Sequence, residues 1–267
     1  MSLRTKASAV FFSFLVLFTG SVMAQQSPTL LAIQEQGELN VCIWPDYFSI
    51  TYLSPRSQQL EGIDIELSQA LAYDLGVQVN YVKTHFGRFM DDLEAGNCDV
   101  AMFGVGDTPV RRERINFTQP YLASNMYAVT TKQHPLISSW SDMDQTGVIV
   151  CVQKGTYMEN AMRKSLKHAT LTTVLRPNER EGEVLSGRAD VFITDYPYGQ
   201  KMINIYDWAR LIAPPGKTEQ FQYAYAVAKG DETWLKRVDQ FVSDIKQDGR
   251  LAKAAAHYNL TPIMITE

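Results

Sequence analysis

The chain has 267 residues, of which 45% are hydrophobic and 20% are charged, and its formal net charge is -4. This acidic balance argues against a nucleic-acid-binding protein, because phosphate binding favours basic patches. A chain of this length can bury one large core or two smaller ones.

The N-terminal segment has the pattern of a secretory signal peptide. Arg4 and Lys6 precede an apolar run at residues 9–18, and a small-residue cleavage site ends at Ala24. The apolar run is shorter than the roughly 20 residues of a membrane-spanning helix, and no later segment is apolar enough to span a membrane. We therefore expect residues 1–24 to be cleaved and the mature protein to be soluble in the periplasm.

The first part of the mature chain alternates strands and helices, as expected for a parallel sheet covered by helices. The predicted strands are residues 38–44, 77–84 and 99–105, and the predicted helices are residues 62–76 and 87–96. In the first helix, Asp64 is expected to cap the start and Gly76 to end it. The third strand, "DVAMFGV", is an apolar run suited to burial on both faces.

The same pattern then restarts in a second unit. Its predicted elements are a strand, turn and helix at residues 148–165, a strand at 169–175, a short helix at 181–187 and a strand at 189–197. Two extended runs, residues 124–132 and 222–230, lead out of the two units, and two helices follow the second run. If these helices return to the first unit, two strands cross between the lobes and form a hinge suited to closure around a ligand.

The sequence thus predicts an α/β protein with two lobes, each a mostly parallel sheet flanked by helices, joined by a two-strand hinge. We assign residues 25–123 to the first part of lobe 1 and residues 124–222 to lobe 2. Residues 223–267 are expected to return to lobe 1 and to form the C-terminal helices. Facing lobes would place the ends of their strands on the two walls of one cleft.

Candidate ligand-binding residues follow from the rule that ligands lie outside the carboxyl ends of the strands in open parallel sheets. In the first lobe they are Trp44, Tyr47, Phe86, Gly104, Gly106, Thr108 and Arg111. In the second lobe they are Thr156, Tyr157 and Asp195. We expect these side chains to face each other across the cleft.

The charged candidates indicate a carboxylate ligand. Arg111 offers a planar fork that fits a carboxylate, and Thr108 begins a helical turn whose free N–H groups favour an anion. Asp195 can hold an ammonium group from the opposite wall, although it can also simply cap the end of its strand. The neighbouring Arg112 and Arg114 are interpreted as a solvated helix face.

The uncharged candidates indicate an apolar ligand body. Gly104 and Gly106 let the backbone approach a ligand closely, and Trp44, Tyr47 and Phe86 can stack on an apolar side chain. The four histidines show no metal-ligand spacing, and no GxSxG or P-loop motif is present. We therefore expect neither a metal nor a cofactor.

The three cysteines leave two alternatives open in an exported protein. Cys42 lies in the first predicted strand and Cys98 lies just before the third, so neighbouring strands can bring the two sulfur atoms together. We hypothesise a Cys42–Cys98 disulfide with Cys151 as a buried thiol. Three free buried thiols are the equal alternative.

Four segments of the chain resemble the periplasmic solute-binding proteins of ABC importers, in particular the polar amino-acid-binding branch (family 3, type II fold). The segments contain "PDYFSITYLSPRSQQLEGIDIELSQALAYDLG", "GNCDVAMFGVGDTPVRRERINFTQPY", "VQKGTYMENAM" and "GRADVFITDYPYG". The second is the most specific, since Thr108, Pro109 and Arg111, followed by Phe117 and Thr118, match the spacing of the family's carboxylate-binding motif.

The resemblance implies roles for the matching residues. It places the carboxylate-binding arginine at Arg111, the ammonium-binding aspartate at Asp195 and the stacking aromatics at Tyr47 and Phe86. It also implies a non-enzymatic monomer that delivers an amino acid or related organic acid to an inner-membrane ABC permease. Gly106 departs from the pattern, because the family usually has a hydroxyl residue there, and this favours a carboxylate ligand with a flat or apolar body.

Two alternative functions belong to proteins of similar fold. Cyclohexadienyl or arogenate dehydratases resemble this family and place a catalytic glutamate shortly after the strand in "ADVFITD", where this chain has Tyr198. Some exported proteins of the same fold resemble accessory partners of periplasmic quinoprotein dehydrogenases, whose ligand clefts depart from the transporter pattern.

Overall fold

A computed structural model describes residues 27–216 and 220–266, so the predicted signal peptide at residues 1–24 lies outside the described residues. The strands are β1 (Glu38–Ile43), β2 (Asp46–Tyr47), β3 (Thr51–Leu53), β4 (Leu60–Glu61), β5 (Gln78–Lys83), β6 (Val100–Ala101), β7 (Ile115–Phe117), β8 (Leu122–Ser124), β9 (Tyr127–Thr131), β10 (Ile149–Gln153), β11 (Thr170–Val174), β12 (Val191–Thr194), β13 (Ala209–Ile212), β14 (Phe221–Tyr223) and β15 (Ala226–Ala228). The helices are α1 (Pro28–Gln36), α2 (Ile63–Leu75), α3 (Phe89–Glu94), α4 (Pro109–Arg112), α5 (Tyr157–Ser165), α6 (Pro177–Leu185), α7 (Tyr196–Ile205), α8 (Glu232–Gln247) and α9 (Arg250–His257), with 3-10 helices at Trp140–Met143 and Thr261–Ile263.

The first lobe is built on a five-stranded sheet with the order β5-β1-β6-β15-β7. β1 is parallel to β5 and β6, whereas β15 is antiparallel to β6 and β7, so four of the five strands run in the same direction. Helices α2 and α3 pack on this sheet, and α9 packs on α2 and α8. The C-terminal helix α9 therefore packs against a helix of the first lobe.

The second lobe repeats this plan with the order β11-β10-β12-β9-β13. β10 is parallel to β11 and β12, and β9 is antiparallel to β12 and β13. Helices α5, α6 and α7 pack on the sheet. The predicted fold class, two lobes that are each a mostly parallel sheet with helices, is confirmed.

Two short strands connect the lobes. β8 pairs with β14 in an antiparallel ribbon in which Ala123 lies opposite Gln222. β8 leads from the first sheet to β9, and β14 leads back to β15. The predicted run 124–132 therefore contains the end of β8 and all of β9, and the run 222–230 contains the end of β14 and all of β15. In each run the second strand, β9 or β15, is the one antiparallel strand of its sheet. The exact lobe limits at residues 123/124 and 222/223 stay a prediction.

The start of α2 differs from the prediction that Asp64 caps it. The residue preceding the helix is Gly62, which provides no side-chain cap, and the end at Gly76 has the expected left-handed conformation with φ 72°. Asp64 is instead completely buried and accepts hydrogen bonds from the Gly104 backbone N–H and from the hydroxyls of Tyr121 and Tyr225. The capping prediction is wrong because the side chain turns toward the interior of the lobe, where these donors lie.

The predicted strand at residues 99–105 is also shorter than expected. All of its apolar side chains are buried, but only Val100 and Ala101 form a strand. Three residues after the strand ends, Gly104 adopts a left-handed conformation with φ 62°. This turn carries the chain from the sheet into α4.

The hypothesised disulfide is present in the structure. Cys42 in β1 and Cys98, just before β6, are bonded across neighbouring strands, with their Cα atoms 5.5 Å apart. Cys151 is a buried free thiol in β10, and its burial raises the pKa of that thiol to about 11. Among the described residues, none of the helices combines the length and apolar character needed to cross a bilayer.

Candidate ligand-binding cleft

The carboxyl ends of β1, β5, β6, β10 and β12 meet around one cavity between the two lobes. Nine of the ten predicted ligand-binding residues line it: Trp44, Tyr47, Phe86, Gly104, Gly106, Arg111, Thr156, Tyr157 and Asp195. The tenth, Thr108, does not line the cavity but contacts the backbone of Arg111, which does. Its hydroxyl caps α4 by accepting a hydrogen bond from the Arg111 backbone N–H at 3.3 Å.

Arg111 places a buried cation on the wall of the cavity. Its side chain donates from Nη1 to the Gly106 carbonyl at 2.6 Å and from Nη2 to the Gly155 carbonyl at 3.0 Å. The guanidinium also lies 5.8 Å from the centre of the Phe86 ring and 5.2 Å from that of Phe89. Burial lowers the pKa of Arg111 to about 10, so the side chain remains charged at neutral pH.

The neighbouring arginines lie outside the cavity. Arg112 donates to the Asp107 carboxylate at 2.6 Å, and Arg114 donates to Glu94 at 2.9 Å and to Asp91 at 2.6 Å. Both side chains are about half exposed. The interpretation of these two residues as a solvated face therefore agrees with the structure.

Asp195 faces Arg111's lobe from the end of β12. Its Oδ1 atom caps α7 by accepting from the Tyr198 backbone N–H at 3.2 Å. Its Oδ2 atom accepts from the hydroxyl of Tyr47 and from that of Tyr223 at 2.7 Å. Burial, together with the Asp195 charge, raises the pKa of each phenol well above the ordinary value for tyrosine, so both phenols keep their protons and donate. Asp195 is therefore both a helix cap and a cavity residue.

Aromatic rings form the apolar part of the cavity lining. The centre of the Trp44 ring lies 5.4 Å from those of Tyr47 and Phe86, and the latter two are 5.8 Å apart. On the other side, Tyr157 stacks on Phe221 with a centroid distance of 4.6 Å. Such tilted and stacked ring pairs are favourable geometries.

The two glycines in the lining make room for the groups around them. A Cβ atom at Gly104 would lie 2.9 Å from Cε1 of Tyr47, and one at Gly106 would lie 3.3 Å from Nη1 of Arg111. A larger residue at either position would therefore press on a side chain that lines the cavity. A Cβ atom at Gly106 would require the Arg111 guanidinium to move by a few tenths of an ångström.

Seven further residues line the cavity: Gln153, Met158, Arg180, Thr194, Tyr198, Phe221 and Tyr223. Gln153 and Thr194 are the last residues of β10 and β12, so the strand-end rule covers them. Phe221 and Tyr223 belong to the connecting strand β14, and Arg180 belongs to α6. No local sequence pattern marks these three residues, because only the packing of the lobes brings them to the cavity.

The lobes touch across the cavity, whose volume is about 30 Å³. The Arg111–Gly155 and Tyr47–Asp195 hydrogen bonds both join one lobe to the other. A water molecule needs roughly 10–15 Å³ of such space, so the cavity holds about two or three water molecules and is too small for an amino acid. A ligand must therefore replace these contacts or enter while the lobes are apart.

Comparison with known proteins assigns the chain to a family. Residues 39–261 match the model of the bacterial extracellular solute-binding proteins, family 3. The chain belongs to this family. Members of the family are solute-binding proteins, so the resemblance noted from the sequence motifs is confirmed.

Individual proteins that resemble the chain carry two kinds of name. A cyclohexadienyl dehydratase of Pseudomonas aeruginosa is 26% identical over 246 residues, which are 91% of this chain and 90% of that protein. The amino-acid-binding protein AabA of Dichelobacter nodosus is 27% identical over 213 residues, 78% of this chain and 82% of that protein. The L-cystine-binding protein TcyJ of Escherichia coli is 23% identical over 82% of this chain and 81% of that protein.

A solved structure agrees with this assignment to family 3. The crystal structure of the ancestral amino acid-binding protein AncCDT-1, a precursor of cyclohexadienyl dehydratase, superposes with a TM-score of 0.79. It is 30% identical to this chain and covers 86% of it, and the match spans 99% of the AncCDT-1 chain. The two-lobed fold is therefore shared with a protein that is described as an amino acid binder.

Proposed function

We propose that this protein binds a small carboxylate-bearing solute, an amino acid or a related organic acid, in the periplasm. The single observation that carries the proposal is the presence of two oppositely charged, almost fully buried side chains on facing walls of one cavity. Arg111 is 6% exposed and Asp195 is 4% exposed. Arginine matches the planar geometry of a carboxylate, and a carboxylate can accept the N–H groups of an ammonium.

The neighbouring rings support the second part of the proposal, a ligand with a flat or apolar body. Trp44, Tyr47 and Phe86 lie on one side of the cavity, with Tyr157 and Phe221 on the other. Separation of the lobes would release the Tyr47–Asp195 and Arg111–Gly155 contacts, and closure would then bury the ligand between the rings. Removal of water strengthens each charge interaction inside the site.

The remaining parts of the proposal concern location and partners. Residues 1–24 direct export and are removed, and the mature protein acts as a monomer that passes its ligand to an inner-membrane ABC permease. It binds no nucleic acid and catalyses no reaction. The motif match and the names of the family's amino-acid-binding members support this role.

A thermal-shift screen of amino acids, keto acids and aromatic acids tests the binding function. A ligand at a hundred times its dissociation constant adds about 2.7 kcal/mol of stability, which corresponds to a rise in Tm of roughly 5–10 °C for a protein of this size. At least one carboxylate is expected to produce such a rise, and its amide or ester analogue is expected to lose it. A panel in which carboxylates and their neutral analogues stabilise equally would refute the proposal.

A dehydratase function is the second candidate, and one observation favours it besides the similarity to a cyclohexadienyl dehydratase. The hydroxyl of Tyr198, at the position where that resemblance implies a catalytic glutamate, donates to the buried carboxylate of Glu181 at 2.7 Å. A carboxyl group thus lies next to this wall of the cavity, where a general acid is needed to expel hydroxide.

Incubation with prephenate or arogenate separates the two candidates. Turnover that is abolished by Glu181→Gln would establish an enzyme and end the binding-only proposal. Absence of turnover, with a Tm rise on a carboxylate, is the expected result. If no small molecule changes the Tm and a quinoprotein dehydrogenase co-purifies, the accessory role replaces both candidates.

A further inference from the structure

Two glycines from opposite lobes meet at the edge of the cleft. Gly155 lies in the turn between β10 and α5 of the second lobe, and Gly87 follows Phe86 in the first lobe. A Cβ atom on Gly155 would lie 3.0 Å from both the Cα atom and the backbone nitrogen of Gly87. Because these are backbone atoms, they could yield to a side chain only if the walls of the cleft moved apart. The walls therefore approach this closely because residue 155 has no side chain.

Hydrogen bonds hold Gly155 from both lobes. Its N–H group donates to the carboxylate of Glu159 in the second lobe at 2.8 Å. Its carbonyl accepts from Nη2 of Arg111 in the first lobe at 3.0 Å. The bond to Arg111 and the contact with Gly87 thus depend on the same close approach of the lobes.

The contact between the two glycines lies between two spaces. The inner cavity, with a volume of about 30 Å³, is lined by Phe86 and Thr156 among others. An outer pocket of about 590 Å³ is lined by Gly87 and Gly155. Each glycine thus lines the outer pocket, while its neighbour in the chain lines the inner cavity. Trp44 lines both spaces, so the outer pocket adjoins the cavity at this place.

We propose that the contact of Gly155 with Gly87 closes the entrance between the outer pocket and the inner cavity, and that Gly155 is a positioning residue for ligand retention. This inference rests on the proposed function, in which a carboxylate binds at Arg111 between the lobes. When the lobes part, the two backbones separate and the entrance opens. When they close on a ligand, the same backbones shut the entrance and keep the ligand from leaving, as closing segments do in other binding sites.

The rates of ligand association and dissociation, measured by stopped-flow tryptophan fluorescence, test the inference. The probes are the standard L-amino acids, their 2-keto acids and benzoate, and the rates are measured with the probe that binds the wild-type protein most tightly. Gly155→Ala places a methyl group against Gly87 and keeps the entrance from closing fully. Changes at a binding interface act mainly on dissociation, so this rate is expected to rise at least about fivefold, whereas association should change by less than about twofold.

Gly147 provides a matched control in the same lobe. Its backbone is left-handed like that of Gly155, with φ 93° against 79°. A Cβ atom at Gly147 would meet no atom of the described residues within 4 Å. Gly147→Ala therefore reproduces the backbone strain without the contact between the lobes, and both rates should stay within about twofold of wild type. Gly155→Asn replaces Gly155→Ala if the latter does not fold, because asparagine adopts the left-handed backbone more readily and carries the same Cβ atom.

Dissociation from the Gly155 variants that is no faster than from Gly147→Ala would overturn the role of Gly155 while leaving the binding function intact. The same conclusion follows if Gly147→Ala accelerates dissociation as much as the Gly155 variants do. Absence of binding by every probe to the wild-type protein would instead contradict the proposed function itself, and this inference would fall with it.

Discussion

Replacement of Arg111 by glutamine is the most direct test of the site. Arg111 is 6% exposed, so on the proposed function its guanidinium would meet a ligand carboxylate in a nearly dry environment. Loss of one partner of a buried, hydrogen-bonded charge pair costs roughly 2–5 kcal/mol, because the other charge is left unpaired. This range predicts a dissociation constant that rises roughly 30- to 5,000-fold.

The neighbouring Arg112 provides a matched control for this substitution. It is the same residue type one position further along α4, but it is half exposed and paired with Asp107. Surface ion pairs contribute about 0–1 kcal/mol, so Arg112→Gln should change neither the affinity nor the stability by more than this amount.

The assay is calorimetric titration of wild type, Arg111→Gln and Arg112→Gln with the carboxylate found in the thermal-shift screen. Circular dichroism and urea unfolding check that each variant is folded. If Arg111→Gln binds within about threefold of wild type, or if Arg112→Gln loses as much affinity, then the guanidinium does not bind the carboxylate.

Three further predictions concern stability, each measured by urea unfolding. The Cys42–Cys98 bond closes a loop with a sequence separation of 56, so replacing both cysteines by alanine should lower the free energy of unfolding by about 4 kcal/mol. Mass mapping of the wild-type protein that finds both thiols free would contradict this. Burial raises the pKa of Asp64 from 3.8 to about 7, so between these values the folded state retains a proton that the unfolded state releases. The free energy of unfolding should therefore fall by up to about 4 kcal/mol as the pH rises from about 4 to 7. Asp64→Asn should abolish this dependence on pH, and an unchanged dependence would exclude Asp64 as its source. Gly104→Ala should lower the free energy of unfolding by about 1–2 kcal/mol because alanine disfavours the left-handed backbone, and by more if the Tyr47 ring cannot move. An unchanged urea midpoint would contradict this prediction.

The sequence predicts the parts of the site that follow from local order along the chain. Trp44 and Asp195 each come directly after a strand of a parallel unit, and Gly104 follows the end of β6 by three residues, so the strand-end rule places them at the cleft. The same rule cannot place Arg180, because this residue lies on a helix and reaches the cavity only through the packing of α6 on the sheet. Tyr223 escapes prediction for a similar reason, since it belongs to a connecting strand between the lobes.

Asp64 shows why a sound local rule can fail. An acidic residue at the start of an apolar helix is a common capping signal, and nothing nearby in the sequence contradicts it. The competing donors, the hydroxyls of Tyr121 and Tyr225, come from distant parts of the chain and meet the carboxylate only in the folded lobe. Tertiary hydrogen bonds outweigh a cap whose contribution is typically about 1 kcal/mol.

The contacts that join the lobes also set which ligands can gain by replacing them. Arg111 already donates to a neutral carbonyl, that of Gly155, and Asp195 already accepts from a neutral phenol, that of Tyr47. An uncharged ligand would exchange these bonds for others of similar strength. A carboxylate at Arg111 and an ammonium at Asp195 would keep a charge-assisted hydrogen bond at each residue and add the attraction between two opposite charges, which is stronger in a buried site than in water. On the proposed function, selectivity for ionised ligands therefore arises from the protein's own closing contacts, because only a charged ligand improves on them.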